Sequence, residues 1–410
     1  MKKLFRISTV PISLNILLRG QLRYLNEFYE VTAISGSGKD LEEVQKREGV
    51  KTQIIEMQRE ISPLKDLVAL YHLYCFFKKE QPDIVHSVTP KAGLLSMVAA
   101  RLAGVPVRMH TFTGLIFPSK KGILKAILIW MDRLLAKSAT HIYPEGKGVK
   151  EDLIKYRITG KPLKIIANGN VNGINTTYFN RDQISANKQR DLKEALGISE
   201  NDFVFIFVGR LVKDKGINEL IHAFKNLAST PLSEHALNLN LNQSTPHPAS
   251  NIQHPASPQL QPKLLLVGSL EQHLDPLKLE TLKEIESNPH ILSVGFQQDV
   301  RSYFAISNAL VFPSYREGFP NVVLQAGAMG LPSIVSDING CNEIIEDQFN
   351  GSIIPVKDAK SLGDAMKRFL EDEELRTALT ANSREMVIDK YCHNKVWKAL
   401  LEEYNKAVNH

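Results

Sequence analysis

Short runs of β-branched and aromatic residues alternate with longer helical patterns along the whole chain, in two successive series. Parallel strands need a crossover long enough to hold a helix, so such alternation folds as a parallel sheet covered by helices on both faces. In the first series strands are expected at Leu4–Val10, Glu30–Ser35, Asp83–Ser87, Val107–Thr111 and His141–Tyr143, with helical stretches at Leu64–Lys79 and Gly93–Ala103. In the second they are expected at Phe203–Val208, Lys263–Val267, Ile291–Val294, Ala309–Phe312, Ser333–Ser336 and Ser352–Ile354. Two series predict an α/β chain of two doubly wound domains, with ligand in the cleft at the carboxyl ends of both sheets.

The 410 residues suit two domains of ordinary size. The expected limits are 1–175 for the first domain, 176–195 for a linker that follows the Asn/Gly-rich Asn168–Asn175 stretch, and 196–385 for the second. Residues 386–410 would form a C-terminal helix able to pack back on the first domain. Within the second domain, residues 229–262 are rich in Ser, Pro, Asn, Gln and His, and His247-Pro-Ala-Ser250 recurs as His254-Pro-Ala-Ser257. That composition buries too little apolar surface to order itself and reads as a disordered surface insertion. Its histidines have proline neighbours and no Cys or carboxylate partners, which disfavours a metal site.

Charge is unevenly distributed. Residues 1–180 carry 27 Lys and Arg against 15 Asp and Glu, whereas the rest carry 23 against 29. Gly122–Lys137 mixes large apolar groups with cations, the pattern of a helix lying on an anionic membrane surface; a core helix with solvated lysines at its edges fits the same pattern. No apolar run reaches the ~18–20 residues that cross a bilayer. The basic start is interrupted by Arg6, Ser8 and Pro11, so it reads as a first strand rather than a signal peptide. Cys75, Cys341 and Cys392 have no metal-ligand spacing and suggest a reducing cytoplasm. The basic residues are not interleaved with stacking aromatics, so nucleic acid is not an expected partner.

Several chemistries are disfavoured by what the loops lack. Ser35-Gly-Ser-Gly-Lys39 resembles half of a phosphate-binding loop, but Asp40 stands where Ser or Thr must ligate magnesium. No Gly-x-Gly-x-x-Gly follows the first strand, no Asp-x-Asp pair is present to hold a metal on a diphosphate, and no Gly-x-Ser-x-Gly elbow occurs. No cofactor and no metal are therefore expected.

The positive signals lie on two loops of the second series. The strand ending at Val208 runs into Gly209-Arg210 and then Lys215-Gly216 before a helix. Glycines let the backbone approach a ligand, Arg supplies a planar fork and Lys a point charge, which together make a diphosphate clamp. The second loop, Phe312-Pro-Ser-Tyr-Arg-Glu-Gly-Phe-Pro-Asn321, precedes a helix whose first turn offers free N–H groups, with Pro320 at its start and Glu317 placed to accept from sugar hydroxyls.

Over nearly its whole length the sequence resembles the family-4 glycosyltransferases of GT-B fold, which implies an acceptor-binding first domain and a nucleotide-sugar-binding second, both Rossmann-like, around a cleft. The resemblance rests on Gly209-Arg-Leu…Lys215-Gly216, Gly268, Gly295-Phe-Gln-Gln-Asp-Val300 and Pro313-Ser…Glu317-Gly-Phe-Pro-Asn321, together with Pro82–His86, Thr89–Gly93, Ala99–Pro106 and His110-Thr-Phe-Thr-Gly114 in the first half. It implies that Arg210 and Lys215 hold the donor diphosphate, that Glu317 contacts the donor sugar, that Phe296–Val300 holds the base, and that His110 lies near the transferring sugar. Gly209, Gly318, Phe319, Pro320 and Asn321 would complete the donor site. The family usually has a second Glu, eight residues after the first, that accepts from the ribose hydroxyls; here that position is Gln325, whose amide oxygen can still accept. Thr113 stands where many relatives carry a further His, and no role is assigned to it.

The wording of these blocks resembles the branch that builds bacterial capsule, O-antigen and glycan precursors. The function so implied is retaining transfer of a hexosyl or N-acetylhexosaminyl group from a nucleotide-diphosphate donor, UDP-linked by expectation, to a polyprenyl-diphosphate-linked glycan. The enzyme would work at the inner face of the cytoplasmic membrane, on an anionic surface. Alternatives are a nucleotide-sugar epimerase of the same fold and a non-catalytic nucleotide-sugar-binding protein.

Overall fold

The structure, a computed structural model, describes residues 1–58, 60, 62–229, 260–273 and 275–409. Most of the Ser/Pro/His-rich insertion, from 230 to 259, lies outside the described residues.

The first sheet contains β1 (Lys3–Ile7), β2 (Glu30–Ser35), β3 (Lys51–Ile54), β4 (Ile84–Ser87), β5 (Val107–Phe112) and β6 (His141–Pro144). The second contains β7 (Asp202–Val208), β8 (Gln261–Val267), β9 (Ile291–Ser293), β10 (Ala309–Phe312), β11 (Ser333–Ser336) and β12 (Gly351–Ile354). The orders are β3-β2-β1-β4-β5-β6 and β12-β11-β10-β7-β8-β9, which are the same topology twice, and every pairing is parallel. Strand order reverses between β1 and β4 and again between β7 and β10, and ligands bind at the carboxyl ends of such switch points because neighbouring loops diverge there. All six strands expected in the second half are present. In the first half β3 is additional to the expected set: Lys51-Thr-Gln-Ile54 is an edge strand with no buried residue, so it carries no apolar signal. β1 stops at Ile7 rather than Val10, because Pro11 opens the helix Pro11–Leu17 and Ser8–Val10 make its approach.

Each central strand is buried on both faces. Phe203-Val-Phe-Ile-Phe207 sits at the centre of the second core, and two separate apolar clusters cover the two faces of the first sheet. One of the latter includes Leu400 and Tyr404 from the last helix, His393–Asn409. Its Tyr404 hydroxyl meets the buried Arg6 guanidinium and lies 2.6 Å from His86 Nδ1, while Trp397 Nε1 donates to Asn172 Oδ1 at 2.7 Å. The final helix of the chain thus closes the first domain. The two chain crossings between domains run side by side: Ile174 N donates to Tyr391 O at 2.8 Å, and His393 N to Ile174 O at 3.0 Å. Gly173 makes this crossing possible, since at its φ of +68° a Cβ would stand 2.7 Å from Tyr391 O.

Candidate active site

The carboxyl end of β7 leads into Gly209, whose N–H donates to Val267 O at 2.9 Å at the end of β8; Gly268 N donates in turn to Gly295 O at 2.8 Å after β9. A Cβ on Gly268 would stand 1.8 Å from Gly209 O, so three strand ends form a shelf of bare backbone. The chain then makes a short turn over Lys213–Lys215 and enters the helix Ile217–Ser229 through Gly216, at φ +72°. A Cβ there would stand 2.1 Å from Pro313 O on the loop after β10. Tyr315 N donates to Asp214 O at 2.8 Å and Arg316 pairs with Asp214 at 3.2 Å, which latches the two loops together.

This latch brings Lys215 and Glu317 into direct ion-paired contact, and Ser314 Oγ donates to the same carboxylate at 2.9 Å. Both charged side chains are mostly buried, and the Lys215 ammonium lies 5.7 Å from the centroid of Phe312. Arg210 is half-exposed on the first loop, paired with Glu271 at 3.2 Å. Gly318 follows Glu317, Phe319 is buried against Tyr391, and Pro320 caps the helix Asn321–Ala328. Asn321 accepts from Asn170 Nδ2 at 2.8 Å, tying that helix start to the crossing between domains. Gln325 is half-buried on the same helix, and its amide makes no hydrogen bond among the described residues. Phe296 is strongly exposed beyond β9, and Val300 is half-buried at the start of the helix Arg301–Ala305. The expected donor residues therefore collect along the carboxyl edge of the second sheet.

His110 lies apart from these loops, in the first domain. It lies inside β5, 1% exposed, with Nδ1 2.8 Å from Ser87 Oγ and its ring edge-on to Phe112 at 4.5 Å. Its neighbours Gly93 and Leu135 come from the helices that cover the sheet. Strand alternation turns this side chain into the core rather than toward the donor loops, and burial lowers its pKa to about 3, so it stays neutral at physiological pH.

Sequence reasoning missed Glu145. It ends the segment after β6, is 8% exposed, and accepts from Val171 N at 3.3 Å. A Cβ on Gly318 would come within 3.2 Å of its carboxylate, so it lies at the seam between domains beside the donor loop. Burial, aided by repulsion from Glu343 and Glu317, raises its pKa to about 8. Nothing in the local sequence marks it, because the seam is made by segments far apart in the chain. Glu343 of the second domain caps the helix Lys147–Lys155 by accepting from Gly148 N at 3.1 Å.

A stability effect follows from Glu145. The folded state retains a proton that the unfolded chain releases above its ordinary pKa near 4.5, so stability falls as pH rises from there to about 8. Glu145→Gln removes this dependence. Thermal unfolding of both proteins between pH 5 and 9 should show the variant gaining relative to the native protein above neutrality, and parallel curves would refute a buried protonated carboxyl.

Among the described residues no three His, Cys, Asp or Glu side chains group as metal ligands. On the outer side of the first domain, Ile123, Leu124, Ile127 and Trp130 of the helix Gly122–Ser138 are exposed, as are Leu64, Leu67, Val68 and Tyr71 of the helix Pro63–Glu80. Within Gly122–Lys137 Leu135 and Ala136 are fully buried, and Leu128 and Ile129 pack partly buried against the same core. No described helix is long and apolar enough to cross a membrane.

Two doubly wound domains of identical topology, with a cationic, glycine-floored edge on the second, define a GT-B glycosyltransferase. The chain belongs to glycosyltransferase family 4: residues 17–170 match the model described as "Glycosyltransferase Family 4", and residues 188–242 and 250–386 match "Glycosyl transferases group 1". It is 30% identical over 406 residues to the capsular polysaccharide biosynthesis glycosyltransferase CapM of Staphylococcus aureus, covering 98% of this chain and 97% of the relative. It is 31% identical over 340 residues to the UDP-Gal:alpha-D-GlcNAc-diphosphoundecaprenol alpha-1,3-galactosyltransferase of Escherichia coli, covering 82% of this chain and 76% of that one. Among solved structures, HepE of Anabaena in complex with UDP and glucose superposes with a TM-score of 0.77 at 15% identity, over 99% of this chain and all of that one.

Proposed function

We propose that the enzyme transfers a hexosyl or N-acetylhexosaminyl group from a UDP-sugar to a polyprenyl-diphosphate-linked glycan, with retention at the anomeric carbon. The observation that carries this is the meeting of Lys215 and Glu317 at the switch point of the second sheet, with Arg210 on the adjoining loop. The names of the Escherichia coli relative and of the HepE complex support a UDP donor, and the former supports a diphosphoundecaprenol-linked acceptor.

In the proposed step the bond from C1 to the β-phosphate oxygen breaks while the acceptor oxygen bonds C1 on the same face. The acceptor proton passes to the departing phosphate. Charge grows on that phosphate, and Arg210, Lys215 and the free N–H groups at the start of the helix Asn321–Ala328 would stabilise it. Donor binding would draw Lys215 away from Glu317, freeing the carboxylate for sugar hydroxyls. Phe296 and Val300 would flank the base and Gln325 the ribose. The clamp consists of cations and N–H donors, so transfer is proposed to need no metal and no cofactor.

The test is UDP release from a panel of UDP-sugars with synthetic lipid-diphosphate sugars as acceptors, with and without EDTA. Acceptor-dependent release that EDTA leaves intact is expected. Restoration by magnesium after EDTA inhibition would overturn the metal-free step, and absence of acceptor-dependent release would overturn the transferase assignment.

Replacing Gln325 by Glu tests the ribose contact. Hydrogen bonds to a charged group contribute ~1.5–3 kcal/mol against about 0.5–1.5 for neutral ones, so the variant should bind UDP roughly fivefold or more tightly by calorimetry. Identical affinities would mean that position 325 does not touch the ribose.

A further inference from the structure

A small cavity lies inside the first domain, beneath the last helix of the chain. Alternation along β1 sends Phe5 and Ile7 into one apolar cluster and sets Leu4 and Arg6 on the other face, which Leu400 and Tyr404 of the helix His393–Asn409 cover. Arg6 is fully buried there. It borders a cavity of about 10 Å³, room for one water-sized species, whose wall also includes His86, Thr111, Glu145 and Asn170.

One arm of the Arg6 guanidinium is committed: Nη1 meets the Tyr404 hydroxyl and lies 2.6 Å from His86 Nδ1. Nε and Nη2 are fully buried and meet no hydrogen-bond partner among the described residues. These two nitrogens form the parallel fork with which arginine grips an anion.

No group around the cavity balances this cation. His86 Nδ1 accepts from Arg6, so the ring proton sits on Nε2, 2.8 Å from Thr111 Oγ1, and burial together with the Arg6 charge holds the ring neutral. Burial pushes the Tyr404 phenol up to about 12, which keeps it a neutral hydroxyl. The Glu145 carboxyl is occupied elsewhere: Oε1 accepts from Val171 N at 3.3 Å, and a Cβ on Gly318 would stand 3.2 Å from Oε2. Because Thr111 Oγ1 accepts from His86, its own proton is left to donate. Arg6 therefore presents a buried fork of donors with no carboxylate among the described residues to meet it. Burying a cation without a counter-charge strongly opposes folding, and a water molecule would satisfy the N–H groups without balancing the charge.

We infer that the cavity binds one small monovalent anion, a halide such as chloride, held by Nε and Nη2 of Arg6 and by the Thr111 hydroxyl. The site is separate from the donor loops of the second domain. Leu400 of the last helix and Asn170 and Val171 of the crossing between domains help to close the cavity. The bound ion therefore strengthens the docking of both segments on the first sheet, and its loss loosens them.

The test follows thermal unfolding of the native protein and of Arg6→Met while sodium chloride replaces sodium gluconate at constant ionic strength, gluconate being too large for the cavity. At roughly ten times its dissociation constant, chloride should raise the native melting temperature by about 3 °C or more and leave that of Arg6→Met unchanged. Crystals of the native protein grown in bromide should show an anomalous peak beside Arg6 Nε and Nη2, a result that stands even where the variant fails to fold. Equal native melting in the two salts would overturn the site. So would a chloride effect that Arg6→Met retains, or bromide peaks confined to other places. Density beside Arg6 without anomalous signal would identify a water and overturn it as well. Neither measurement uses a sugar donor or acceptor, so the outcome is independent of the transferase reading.

Discussion

Changing Arg210 or Lys215 to alanine is expected to lower the rate of transfer by ~10²–10³-fold, the loss typical of a preorganised group that meets charge developing in a transition state. The two variants should differ in their side effects. Arg210 is half-exposed and, among the described residues, pairs with Glu271 alone, so its removal should leave the melting temperature nearly unchanged. Lys215 is mostly buried against Phe312 and neutralises Glu317, so its removal leaves a carboxylate without its partner and should cost stability as well as rate. Combining Lys215→Ala with Glu317→Gln should recover stability without recovering transfer. Steady-state kinetics and thermal unfolding read both effects, and unchanged turnover in both single variants would sink the diphosphate clamp.

The loops that carry the proposed clamp were legible in the sequence because each is local. Gly209, Arg210, Lys215 and Gly216 lie on one loop directly after an unbroken apolar strand, and Glu317 precedes a helix start, so strand ends and caps alone bring them to one edge of a parallel sheet. Sequence could not tell how the loops meet: the contact of Gly216 with Pro313 and the bond from Tyr315 to Asp214 join segments about a hundred residues apart. His110 entered only through the family resemblance. Nothing in the sequence told that its ring lies against Ser87 of the neighbouring strand. Glu145 was silent because burial of a lone acid depends on which segments cover it. β3 was missed because an exposed edge strand has no apolar face to read.

Binding to anionic vesicles is the second large effect expected. The exposed Ile123, Leu124, Ile127 and Trp130 stand beside Lys120, Lys121 and Lys125, and the neighbouring helix Pro63–Glu80 adds Leu64, Leu67, Val68 and Tyr71. Apolar groups of this size enter the interface between headgroups and acyl chains, while each nearby cation contributes about 1 kcal/mol on an anionic leaflet. Changing the three lysines to Glu should therefore weaken binding by at least about 10²-fold, and raised salt should weaken the native protein as well. Co-sedimentation with anionic and with neutral vesicles reads both. Equal binding to the two kinds of vesicle, unaltered in the triple variant, would leave the lipid-linked acceptor without a physical argument from this surface.

The most direct test of the whole account is the structure of the product. The native protein, a UDP-sugar and a synthetic GlcNAc-diphosphate lipid should yield the lipid heavier by one hexosyl or N-acetylhexosaminyl unit by mass spectrometry. The new anomeric proton should show the donor's own α configuration by NMR. A β-linked product would contradict retention, and a UDP-sugar converted to its epimer with the lipid unchanged would contradict transfer itself.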